Sequence, residues 1–75
     1  MTRKVETVFD IKDGPALIRH LPIDEMPHVG EEVQLMGSSP KIAGAWFTVT
    51  RVRRVYALDM DLLESVCVSL TADND

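Results

Sequence analysis

His20 and His28 are the only histidines in this 75-residue chain, and Asp24 and Glu25 lie between them. Two imidazoles and two carboxylates are metal ligands or proton carriers by type. A zinc site, however, needs three or four ligands at close, recognisable spacing, and none is present. Both histidines therefore read as surface groups of a polar loop, and neither a metal nor a cofactor is expected. Ser38, Ser39, Ser65 and Ser69 lack a Gly-x-Ser-x-Gly turn. Gly37 and Gly44 lack the Gly-Lys-Ser/Thr ending of a phosphate loop. Glu31-Glu32 and Asp24-Glu25 are adjacent pairs, and neighbours on a strand face opposite sides. Cys67 is the single cysteine and has no recognisable base to activate it, so it reads as a small hydrophobe. The chain is expected not to be an enzyme.

The strongest chemical signal is Trp46 to Tyr56, which carries Arg51, Arg53 and Arg54 and no carboxylate. A guanidinium is a planar fork of donors suited equally to phosphate and carboxylate. Trp46 and Tyr56 flank the run and could stack on bases. Simple alternation puts Arg51 and Arg53 on one face and Arg54 on the other. Two uses follow. The arginines can pair across strands with Glu31, Glu32, Glu64 or Asp61, each pair worth about 0.2–1 kcal/mol. Alternatively they form a stripe for nucleic acid. The acidic surroundings favour the first use, because they repel phosphate. Net charge is −2 over residues 1–45, +3 over 46–57 and −5 over 58–75.

The elements that must carry these residues are mostly strands. Val5, Thr7, Phe9 and Ile11 alternate with Lys4, Glu6, Val8 and Asp10, which predicts a first strand. Asp13-Gly14-Pro15 ends it; glycine is free to take positive φ, and proline cannot donate to a ladder. Residues 16–21 fit a short helical turn or a strand, and Pro22 stops either. Residues 21–32 read as an ordered acidic loop with a turn at Pro27-His28-Val29-Gly30. A strand follows through Val33 and Leu35. Residues 37–44 have the composition of a mobile connection.

The strand from Ala45 onward is long, and a bulge near Thr50-Arg51 would return Val52 to the side of Phe47. Beyond it lies a conflict. Leu58, Leu62, Leu63, Val66, Cys67 and Leu70 fit one face of a helix, whereas Val66, Val68 and Leu70 alternate as a strand. Val-Cys-Val-Ser-Leu-Thr is poor in strong helix formers, so a strand is expected over 65–71, with residues 58–63 as the turn before it. Residues 72–75 should fray.

The expected whole is a mainly-β single domain over residues 1–75. Its architecture is a small antiparallel barrel or strongly bent sheet of four or five strands. Phe9, Val33, Leu35, Phe47, Val49, Val66 and Val68 should share the interior. A chain this short buries roughly 60–65% of its unfolded surface, so its core is thin and deep pockets are hard to build. The run Pro27-His28-Val29-Gly30-Glu31-Glu32-Val33, followed by Phe47-Thr48-Val49, resembles SH3-like small barrels over roughly residues 27–70. That resemblance implies architecture only. Groove-lining aromatics of proline-binding SH3 domains are not matched by the four here, so that ligand class is not implied.

Met1–Glu6 lacks the apolar run of a signal peptide, and no stretch reaches the length of a membrane span. These features predict a cytoplasmic chain with no membrane partner. The leading expectation is a non-enzymatic interaction module. It would bind a protein through an edge strand and the loops at 21–31 and 37–44. Its contacts would be Trp46, Tyr56, Arg51, Arg53 and Arg54, with Met26 and His28 from the acidic loop. Trp46 would be either a core residue or a single exposed anchor. The alternative is a nucleic-acid-binding barrel that uses Arg51, Arg53 and Arg54. Nothing in the sequence specifies an oligomeric state.

Overall fold

The computed structural model describes residues 2–37, 42 and 44–73. Among the described residues five strands form one sheet: β1 (Lys4–Ile11), β2 (Ala16–Pro22), β3 (Glu32–Gln34), β4 (Trp46–Ala57) and β5 (Leu62–Ala72). Their spatial order is β2-β1-β5-β4-β3. The sheet curls into a half-barrel, and its inner face holds the core. The mainly-β, strongly bent sheet is as expected. One pairing corrects the antiparallel description. β1 lies parallel to β5, with Phe9 beside Val68, and the other three pairings are antiparallel. Alternation within a strand reports its buried face but carries no information about its neighbour's direction.

β1 obeys its alternation fully: Val5, Thr7, Phe9 and Ile11 are all buried. Thr7 is polar and fully enclosed, but its hydroxyl donates to the Val5 carbonyl at 3.0 Å and faces Met26 Sδ at 3.7 Å. The desolvation penalty of the hydroxyl is thereby offset. Residues 16–22 resolve as a strand paired with β1. In the connecting turn, Gly14 N–H donates to the Ile11 carbonyl at 3.0 Å. Positive φ falls on Asp13 (60°), not on Gly14. Gly14 is required for space instead, since a Cβ there would lie 2.9 Å from Ile11 Cγ2.

The bulge in β4 is where alternation demanded it. Val49 faces Leu70 and Arg51 faces Ser69, so Thr50 is the extra residue and Val52 returns to face Val68. A second irregularity was not anticipated: Val55 faces Ser65 but Tyr56 faces Leu63, which makes Glu64 extra on β5. Bulges add local twist, and two along one hairpin help bend the sheet. β5 is a strand, as expected over 65–71, but begins at Leu62. The turn is accordingly shorter than expected. Met60 N–H donates to the Ala57 carbonyl, Asp61 N–H donates to Leu58, and Asp61 takes φ 51°.

The chain end differs from the expected fray. Ala72 closes β5, and Asp73 N–H donates to the Trp46 carbonyl at 3.0 Å. Asp73 also accepts from the Thr48 hydroxyl. Residues 74 and 75 lie outside the described residues.

Val66, Val68, Leu70, Val49, Phe47, Phe9 and Val5 form the centre of the core. Fully burying a side chain of this kind stabilises by roughly 1.5–3 kcal/mol. Val33 and Leu35 are only partly buried against this cluster, because β3 is a three-residue edge strand. Ile42, from the connection read as mobile, is buried in the core; residues 38–41 and 43 of that connection lie outside the described residues. Among the described residues no helix is long and apolar enough to cross a membrane.

Candidate functional site

The sheet divides the arginine run between its two faces. Directly opposed residues share a face. Arg54 opposes the buried Val66, so it belongs to the inner face, beyond the end of the core. Arg51 and Arg53 oppose Ser69 and Cys67 and lie on the outer face. All three arginines are exposed. None stands directly opposite a carboxylate, because Glu32 faces Thr48, Glu64 is bulged out and Asp61 is in the turn. Trp46 is 52% exposed on the edge-ward part of β4, which makes it a surface side chain and not a core one.

The inner face continues past the core as a shallow depression of about 430 Å³. Arg54 and Tyr56 of β4 and Leu63 of β5 form one wall. Ile23, Asp24, Met26 and His28 form the other. The second wall is the connection from β2 to β3, which joins the two opposite edges of the sheet. Pro22 ends β2, and Ile23–Glu25 make one 3₁₀ turn whose Ile23 N–H donates to the Arg3 carbonyl at 2.9 Å. Met26 then enters the core beside Thr7. Glu31 holds His28, because its Oε1 accepts from the His28 N–H at 2.6 Å. Gly30 takes φ 93° and donates to the Val49 carbonyl at 2.8 Å, which ties the loop to β4. Arg3 Nη2 donates to the Leu63 carbonyl at 2.7 Å and fastens the other side.

Neither a family model, nor a curated protein, nor a solved structure matches this chain.

Four of the seven residues expected as contacts thus converge on one depression: Met26, His28, Arg54 and Tyr56. Trp46, Arg51 and Arg53 are not brought there. Met26 lines the depression with only 9% of its surface exposed, the rest being in the core. Among the described residues no three histidine, cysteine or acidic groups are placed to hold a metal ion. What the depression offers is one guanidinium, one carboxylate, an imidazole and a phenol over an apolar base. That set suits an amphipathic surface pressed against it.

Sequence reasoning missed the residues beyond it. β1 pairs with β5 no further than Ser65, and β3 pairs with β4 no further than Thr48. The end of the β4–β5 hairpin therefore projects as a two-stranded ribbon. Val55, Tyr56, Leu58 and Met60 on it are 49%, 59%, 82% and 64% exposed. The signal was present in the sequence: a turn usually carries small polar residues, yet Leu58-Asp59-Met60-Asp61 places two large apolar side chains there.

Proposed function

We propose that this chain is a non-enzymatic interaction module that binds a protein partner through the projecting β4–β5 hairpin and the loop beneath it. The observation that carries the reading is the exposed apolar pair Leu58 and Met60 at the projecting tip, with Val55 exposed on the outer face below it and Tyr56 on the inner face. A small domain gains nothing for its own stability by leaving such side chains in water, and clustered exposed apolar surface marks contact sites. Aromatic and methionine side chains are also enriched at interfaces. The adjacent depression adds Arg54, His28 and Asp24 as a polar border that can fix orientation. The edge strands β2 and β3 offer backbone groups for strand addition as a further mode. The curled sheet is compatible with the SH3-like architecture suggested by the Pro27–Val33 run, but the reading does not depend on it.

The test is capture from nuclease-treated native lysate with a photo-crosslinking residue at position 56. The parent chain should yield a discrete crosslinked protein. Leu58→Asp with Met60→Asp should abolish the product, and Arg51→Ala with Arg53→Ala should leave it intact. A product unaffected by the hairpin substitutions would sink the reading.

Nucleic-acid binding is the rival, favoured by exposed Arg51, Arg53 and Trp46. It requires retention on heparin or single strands that falls steeply with salt. It is weakened because Arg54 lies on the inner face, which leaves only Arg51 and Arg53 as a stripe on the outer one.

A further inference from the structure

A second concavity lies where the two edges of the half-barrel approach each other. It measures about 390 Å³ and is lined by Leu17 and Leu21 of β2, Met36 just past β3, and Phe9 at its base. Its titratable members are Arg19 and His20, both exposed. Arg19 Nη1 donates to the Ile18 carbonyl at 2.7 Å, which leaves the rest of the guanidinium fork to face solvent. The groove is therefore apolar within, with the Arg19 guanidinium at its margin, and His20 stands directly opposite Glu6 of β1.

The projecting hairpin turn has the opposite character in its charges and the same in its apolar groups. Leu58 and Met60 are exposed, and Asp59 and Asp61 alternate with them. We infer that the hairpin tip of one copy of this chain seats in the edge groove of a second copy, with Leu58 and Met60 against Phe9, Leu17 and Met36 and the aspartates beside Arg19 and His20. This assignment rests on the interaction-module reading and names its partner.

Geometry excludes the same contact within one copy. Leu17 is aligned with Phe9, Phe9 with Val68, and Val68 with Val52. Leu58 lies six residues further along β4, roughly 20 Å at about 3.3 Å per extended residue. The groove and the tip are thus separated along the long axis of a molecule 43 Å in extent. A tip at one place and its socket at another make a heterologous contact. Repeated head to tail it builds rings or open chains; made reciprocally by two copies it closes a two-fold dimer.

That asymmetry supplies the experiment. Sedimentation velocity of the full chain over a concentration series should show concentration-dependent association into dimers or larger species. A tip variant, Leu58→Asp with Met60→Asp, should run as a monomer. So should a groove variant, Arg19→Glu with Met36→Asp, whose altered side chains are exposed and leave the core untouched; circular dichroism of both should match the parent. Each variant should weaken association at least roughly tenfold. Mixed in equal amounts, the two variants retain one intact tip and one intact groove between them and should form 1:1 dimers and nothing larger. A parent chain that stays monomeric at millimolar concentration, or a mixture that stays monomeric, overturns the inference. If the parent is monomeric yet still crosslinks a different protein from lysate, self-association is wrong and the interaction reading survives. If it crosslinks nothing, both are wrong.

Discussion

The two halves of the β4–β5 hairpin use the same residue alphabet and meet opposite fates. In the near half, Val49, Val66, Val68 and Leu70 are essentially inaccessible. In the far half, Val55 and Tyr56 stand about half exposed or more. β-Branched and aromatic residues favour both stretches as strand equally well. The difference is the neighbours. The near half is flanked by β1 on one side and β3 on the other, and its inner face shares a core with Phe9, Met26 and Ile42. Among the described residues no third strand flanks the far half, and two strands alone are marginal in water. Its anchor is the bond from Arg3 to the Leu63 carbonyl. Burial here is conferred by flanking strands, not by residue type.

The largest effect should come from emptying the near half. Phe47→Ala should cost about 3–5 kcal/mol, the range for a core aromatic. Total stability for a small domain is about 5–15 kcal/mol, so much of it would be lost. Urea denaturation checks this, and a midpoint close to the parent's would mean that Phe47 is not a core residue. A smaller effect is expected at the β1–β2 turn. Gly14→Ala should destabilise by about 1–3 kcal/mol, because the new methyl presses on the buried Ile11. An unchanged melting temperature would show that the turn can open without strain. The smallest effect belongs to the far half. Leu58→Ser with Met60→Ser should change stability by less than about 0.5 kcal/mol. Partner capture should nevertheless disappear. A large loss of stability in that variant would place the tip inside the folding unit and erase the contrast between the halves.

Much of this contrast can be traced to particular residues. A bulge near Thr50-Arg51 was suggested by Phe47, Val49 and Val52, since one extra residue returns Val52 to the side of Phe47, and the extra residue is Thr50. The strand at 65–71 followed from its composition, against a competing helical periodicity. The ambiguity at 16–21 could not be resolved locally, since Pro15 suits the first turn of a helix and the apolar run suits a strand. Pairing with β1 decided it. Among the site residues, His28, Arg54 and Tyr56 were expected and do converge with Asp24. Leu58 and Met60 were passed over as turn residues, although their size in a turn was itself the clue.

The sequence alone determined which face of each strand is apolar, because alternation of apolar and polar groups is a property of each strand taken singly. It also pointed to a bulge near Thr50-Arg51 in the longest strand. Only the tertiary structure decided that β1 runs parallel to β5, that the arginines fall on two faces, and that the hairpin outruns its neighbours. Those outcomes depend on which segments meet and how far each pairing extends. Contacts between residues sixty positions apart are set by the packing of the whole sheet, and no local pattern encodes them.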